Sequence, residues 1–281
     1  MRNLIKSDFY KLRKAKSFWV CMVVAVLLAA FTVFVMDFSV KLMEMVPQQT
    51  EQEMAALEES GLNVSTNGVP MTSEDLNASS MFLLQFAGTT TLLSAVFVSL
   101  FVGGEFSYGT IKNLASKNYT RTQIYLSKTI VSVIASIGMT VFYAAIATAL
   151  GTALWGFGDV GSSFAADTFK GILIELLLIT AFTSVFVMFS MLIRQNGGAI
   201  AANICFLEFV SLVVMVGEMI INKVFDTSVT LSNYLLDTNM SQIATEEITG
   251  TLAGRSIAVG LGFLVVTMII GLVSFQKRDI K

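Results

Sequence analysis

The chain has 281 residues, of which 54% are hydrophobic and 14% charged, with a formal net charge of −2. An ordinary globular domain carries about 25% charged residues, so this balance excludes one and points to a membrane protein. The sequence holds no histidine and no G-x-x-x-x-G-K-[ST] loop. Serine–histidine catalysis, histidine metal sites and phosphate cradling by this chain are therefore excluded.

At the start, MRNLIKSDFYKLRKAK places Ile5, Phe9 and Leu12 at i, i+4 and i+7, with the cations mostly elsewhere on the wheel. This pattern predicts an amphipathic helix over 1–16 lying along the inner leaflet; the alternative is a basic topology signal that does not fold. Six apolar windows follow, at 17–36, 81–102, 129–154, 171–193, 198–221 and 256–275. Each is long enough for a bilayer core of about 30 Å, which takes about 20 helical residues. The first window exceeds the roughly 7–15 residues of a signal peptide's apolar region and no A-x-A site follows, so it is expected to be retained. Cys21 and Cys205 fall inside windows, which leaves no disulfide framework. Residues 17–281 are read as one six-helix transmembrane domain.

The first connection, 37–80, is long and acidic, and QQTEQEMAALEES within it predicts a solvated helix. The second, 103–128, reads GGEFSYGTIKNLASKNYTRTQIYLSK and carries four cations and one anion. Ser107 is placed to cap a helix starting at Tyr108, with Glu105 near its positive end. On that helix Ile111, Leu114 and Ala115 share a face, and Asn118 suits a left-handed terminator. Thr120-Arg121-Thr122-Gln123 then has the form of a capping box, opening a new helix into the third span. A short capped helix with an apolar face, held at the membrane surface between two spans, is suited to docking in a groove on a soluble partner. The alternative is a loop helix resting on the headgroups.

In the third connection, WGFGDVGSSFAADT, Trp155 suits the interfacial belt and Asp167 is placed to cap the fourth span. Glu175, Glu208 and Glu218 lie in or near spans, where a carboxylate at mid-bilayer costs about 2.5–3.5 kcal/mol on insertion scales. Glu208 stands 10 residues after Gly198, near the midplane. With Asn203 it is the candidate lining of a substrate path; the rival reading is a hydrogen-bonded contact between helices near Asn203. Glu175 and Glu218 are expected near the surface, with Lys170 and Lys223 in reach.

Of the 18 cations, 14 precede the first span, follow the last, or lie in 103–128 and at Arg194. The positive-inside rule makes that side cytoplasmic and places both termini there.

The run from Gly103 to Lys128, with its Gly-Glu-Phe and Gly109-Thr110-Ile111 between spans two and three of six, resembles the permease subunits of ABC-2 type exporters. Among these it is most similar to Gram-positive bacterial ones associated with antimicrobial peptides such as lantibiotics. The resemblance covers the whole chain in layout but only 104–128 in residues. It implies an all-α fold in the bacterial plasma membrane, with 103–128 as the coupling helix that contacts a cytoplasmic ABC ATPase. That role would fall to Glu105, Gly109, Thr110, Ile111, Lys112, Asn113 and Arg121, with Arg194 in the smaller contact RQNGG. It also implies that 222–254 partly re-enters the outer leaflet, that ATP and magnesium belong to the partner, and that a second permease subunit completes the assembly. No cofactor and no nucleic acid is expected on this chain. Competing readings are a self-sufficient secondary transporter or channel, and a peptide sensor that moves nothing.

Overall fold

The computed structural model describes residues 1–45, 76–115, 119–162, 164–225 and 230–277. The solvated helix expected within 48–60, and Asn118, lie outside these residues. Among the described residues every regular element is helical. Six segments are long and apolar enough to cross a membrane: Lys16–Leu42, Leu83–Ser107, Arg121–Trp155, Phe164–Ile193, Asn196–Phe225 and Gly250–Lys277. They contain the six windows read from the sequence, apart from two residues at the start of the second window. The chain is accordingly described as a multi-pass membrane protein.

Helix α1 (Arg2–Lys14) is followed at Ala15, in extended conformation, by α2 (Lys16–Met45). The second span is not one helix. A 3-10 turn (Leu83–Phe86) leads to Gly88 at φ +79°, a left-handed conformation that costs glycine little, and then to α3 (Thr89–Val98). A π-helical segment, Ser99–Gly103, separates α3 from α4 (Gly104–Ser107). Apolarity alone predicts an uninterrupted window here, because periodicity does not register a change in hydrogen-bond step.

After α5 (Thr110–Ala115), α6 (Arg121–Trp155) begins with the capping box expected of Thr120. The Thr120 hydroxyl accepts from the Gln123 amide at 3.3 Å, and Gln123 Oε1 accepts from the Thr120 amide at 3.3 Å. Two donors at the helix start are thereby satisfied. At the other end, Trp155 Nε1 donates to Asp37 Oδ1 at 3.1 Å, tying α6 to α2. Helix α7 (Phe164–Ile193) starts before Asp167, so that residue sits in the first turn and pairs with Lys170 at 3.2 Å instead of capping the helix. Arg194, at φ 59°, breaks the chain between α7 and α8 (Asn196–Phe225), before α9 (Leu236–Thr245) and α10 (Gly250–Lys277) complete the fold.

Helix α7 is the axis of the bundle, packing on α3, α6, α8, α9 and α10. Without a hydrophobic force between helices in lipid, close approach and hydrogen bonding must hold them. A Cβ on Gly260 of α10 would lie 3.2 Å from Leu177, and the Ser184 and Thr267 hydroxyls meet at 2.8 Å between α7 and α10. Gly271 is tighter still: the fully buried Tyr125 ring of α6 occupies the space a side chain there would need. Helix α8 is peripheral, with only Ala199 and Asn203 buried, and its exposed Leu212, Val213, Val216 and Ile220 suit lipid contact.

The bundle has two unlike ends. One gathers α1, α4, α5, the start of α6 and the last turn of α10, and carries most of the cations. The other holds α9, the 3-10 turn at Leu83–Phe86 and Asp37, Asp167 and Asp237. They are called the basic and acidic ends below.

Candidate functional site

Helix α1 repeats Leu4, Asp8 and Leu12 every four residues, so all three lie on one face, and all three are buried. Ile5 and Phe9 of the expected apolar face are half-buried beside them. A carboxylate on a buried face needs compensation, and the start of α6 supplies it. Asp8 Oδ1 meets Lys128 Nζ at 2.6 Å, and Asp8 Oδ2 accepts from the Ser127 hydroxyl at 2.7 Å. Lys128 Nζ also reaches Glu105 Oε1 at 2.7 Å, which in turn accepts from Lys11 Nζ at 2.7 Å. Two acids and two lysines form a neutral cluster joining α1, α4 and α6. Lys128 is 1% exposed, Asp8 0% and Glu105 8%. The Lys128 ammonium stands 5.2 Å from the Phe101 ring centre, which favours a cation over the ring face.

Sequence reasoning selected Glu105 but passed over Asp8, Lys11, Ser127 and Lys128. The available signal was one acid in a basic helix, spaced four residues from Leu4 and from Leu12.

The loop above this cluster folds differently from expectation. Ser107 closes α4 instead of capping a helix from Tyr108. Gly109 turns the chain at φ +67°, and the Thr110 hydroxyl donates to the Glu105 carbonyl at 3.3 Å as α5 begins. Ile111 and Leu114 share a face, but it turns inward: Ile111 is 2% exposed and packs in the main core. The side chains of Lys112, Asn113 and Ala115 lie outside the described residues. Tyr108 faces outward, 81% exposed, on the rim of a notch of about 210 Å³ lined also by Lys11, Glu105, Phe101 and Thr110.

The second basic-end connection packs directly on this loop. A Cβ on Gly103 would lie 3.0 Å from Asn196 Oδ1, so the Gly-Gly pair permits the close approach of 195–196. The Arg194 guanidinium lies 5.6 Å from the Phe106 ring centre. Arg121 donates to the Phe275 and Gln276 carbonyls at 3.3 and 2.8 Å, closing the last turn of α10. Glu105, Gly109, Thr110, Ile111, Arg121 and Arg194 are thus brought to one end, with Tyr108 as the most exposed side chain among them.

Glu208 and Asn203 are not brought together. Asn203 is fully buried, donating to Ser99 Oγ at 2.8 Å and to the Phe186 carbonyl at 3.3 Å. It anchors α8 to the π-helical segment and to α7, and its side chain is not part of the cleft lining that holds Glu208. Glu208 is exposed to a cleft of about 570 Å³ toward the acidic end. Asp237 of α9 lines the same cleft, with Gln85, Thr91, Tyr143 and Phe182. The Thr91 hydroxyl is buried and has no hydrogen-bond partner among the described residues.

Two further carboxylates lie in or near spans. Glu218 accepts from the Ser232 amide at 3.0 Å, pinning the 3-10 turn at Ser232–Tyr234. Glu175 is 0% exposed, and neither of its oxygens has a hydrogen-bond partner among the described residues. It is enclosed instead of lying at the surface, because α7 is the central helix of the bundle.

Residues 63–281 match the family described as a protein of unknown function, DUF2705, and the chain belongs to that family. No curated protein matches the chain.

Proposed function

We propose that the chain is the permease subunit of an ATP-driven exporter of the ABC-2 type. Amphipathic or hydrophobic molecules such as antimicrobial peptides would pass outward from the membrane, powered by ATP and magnesium on a separate cytoplasmic ATPase subunit. A second permease subunit, identical or related, completes the path. The observation that carries this reading is the basic-end loop: an exposed Tyr108 beside a notch of about 210 Å³, set on a buried charge cluster that joins α1, α4 and α6. A loop rooted in spanning helices moves them when a partner moves it, whereas a loop hinged on glycine alone would not.

The basic end is cytoplasmic in this reading, by the charge asymmetry. The cleft with Glu208 and Asp237 at the acidic end then provides carboxylates for the cationic part of a substrate and apolar walls for the remainder. The test is co-purification of an ATPase from native membranes with the wild type and with Tyr108→Ala. Loss of the partner and of ATP-driven export in the variant, with unchanged melting, is the expected outcome. A variant that keeps both counts against the assignment.

One observation favours a second reading. Glu175, buried in α7 without a hydrogen-bond partner among the described residues, is the type of group an ion-coupled secondary transporter uses. Liposomes containing only this chain distinguish the two: uptake driven by a sodium or proton gradient supports the second, and its absence leaves the first.

A further inference from the structure

Four cations lie toward the acidic end, against the general asymmetry: Lys41, Lys170, Lys223 and Arg255. Lys41 is paired with Asp37 at 2.6 Å and Lys170 with Asp167 at 3.2 Å. Arg255, near the start of α10, is held by neutral groups instead. Its Nε donates to Asn239 Oδ1 at 3.4 Å and one terminal nitrogen donates to Gln242 Oε1. Asn239 is itself fully buried and fixed, donating to the Asn233 and Leu235 carbonyls at 2.8 and 2.7 Å and accepting from Ser256 Oγ at 2.9 Å. Two amide oxygens orient the guanidinium, and among the described residues no carboxylate pairs with it. A half-buried cation held by neutral groups retains a strong preference for an anion.

Below Arg255 runs an open groove of about 590 Å³, lined by Tyr234, Arg255, Ala258, Val259, Gly262, Phe263 and Val266. Apart from the guanidinium and the tyrosine its lining is apolar. Positions 255, 258, 259, 262, 263 and 266 form one stripe of α10, and Gly262 leaves a gap where nothing lies within 4 Å of a would-be Cβ. From Arg255 to Val266 the helix rises about 16 Å, against about 15 Å for half a bilayer's hydrocarbon core.

We infer that this groove is a binding site for an anionic phospholipid. The guanidinium takes the phosphate at the level of the acidic-end headgroups, Tyr234 occupies the interfacial belt beside it, and one acyl chain lies along Ala258, Gly262 and Val266. Zwitterionic lipid fills the same groove but presents its own cation beside Arg255, so it binds less tightly. The site requires only that α10 cross a bilayer, whatever the chain transports, so its failure and that of the transport reading are separable.

The experiment uses the full chain, purified in neutral detergent and stripped of lipid. Equal amounts of phosphatidylglycerol and phosphatidylcholine are added, and bound lipid is counted by native mass spectrometry. The basic end also attracts anionic lipid, so the readout is the difference between the wild type and Arg255→Gln. The phosphatidylglycerol preference is expected to fall about fivefold in Arg255→Gln and to persist in Arg255→Lys. Gly262→Phe, whose Cβ would meet nothing within 4 Å and whose ring is directed to fill the groove, is expected to remove one bound lipid of either kind at unchanged melting temperature. An unchanged preference in Arg255→Gln, an unchanged lipid count in Gly262→Phe, or removal of the preference by millimolar inorganic phosphate overturns the site.

Discussion

The two ends of the bundle treat charge in opposite ways. At the basic end, Asp8, Glu105, Lys11 and Lys128 cancel one another inside a single chain, and the loop they support carries Tyr108 far out. Toward the acidic end, Glu208 and Asp237 line an open cleft, and Arg255 is held by amides with no carboxylate partner among the described residues. Charges satisfied internally hold helices in register. Charges oriented but not neutralised mark places where a ligand can supply the missing partner.

The sharpest way to break this contrast is Lys128→Met, which leaves two buried carboxylates short of a cation. A loss of about 3–5 kcal/mol is expected, read as melting in detergent. Combining it with Asp8→Asn should recover part of that loss, and strict additivity of the two would show that the cluster is not coupled. Glu175→Leu works in the opposite direction. Replacing a buried, unpartnered acid by an apolar group should raise stability by about 1–3 kcal/mol, and a lower melting temperature would reveal a partner for that carboxylate. Thr120→Ala removes a cap that both sequence and geometry assign and should cost about 1 kcal/mol by the same assay. Glu208→Gln is expected to shift stability by less than about 0.5 kcal/mol, since its group faces a cleft. Its effect should instead be weaker retention of a cationic amphiphile, such as a dodecyl ammonium probe, by equilibrium binding. Equal retention by wild type and variant would remove Glu208 from the substrate path.

Ile111 shows how the comparison alters what a mutation means. Its place on the expected docking face makes Ile111→Asp a surface change that uncouples a partner. Its burial in the core makes the same change a folding defect, so Tyr108 is the cleaner probe of docking.

Much of the local chemistry, where the interaction partner lies within one turn, was legible. The six apolar windows, the Thr120–Gln123 box and the basic helix at the start need only length, spacing and capping rules, and each is present. The helix expected to start at Tyr108 starts two residues later, at Thr110, because Gly109 at φ +67° interrupts the chain first. Pairings across the chain were not legible. Asp8 meets Lys128 across 120 positions, and Asn203 meets Ser99 across 104. No local rule ranks such partners.

What the sequence determined by itself is the number of spans, their approximate limits and the segregation of charge between the two sides, because desolvation and backbone hydrogen bonding act residue by residue. Only the tertiary structure decided that α7 is the axis, that Glu175 is enclosed, that Asn203 is a fastening and Glu208 a cleft wall. Those outcomes depend on which face of each helix meets its neighbours, and apolar helices in lipid carry almost no periodic signal for that choice: small gaps such as Gly260 and Gly271, and a few hydroxyls and amides, make it.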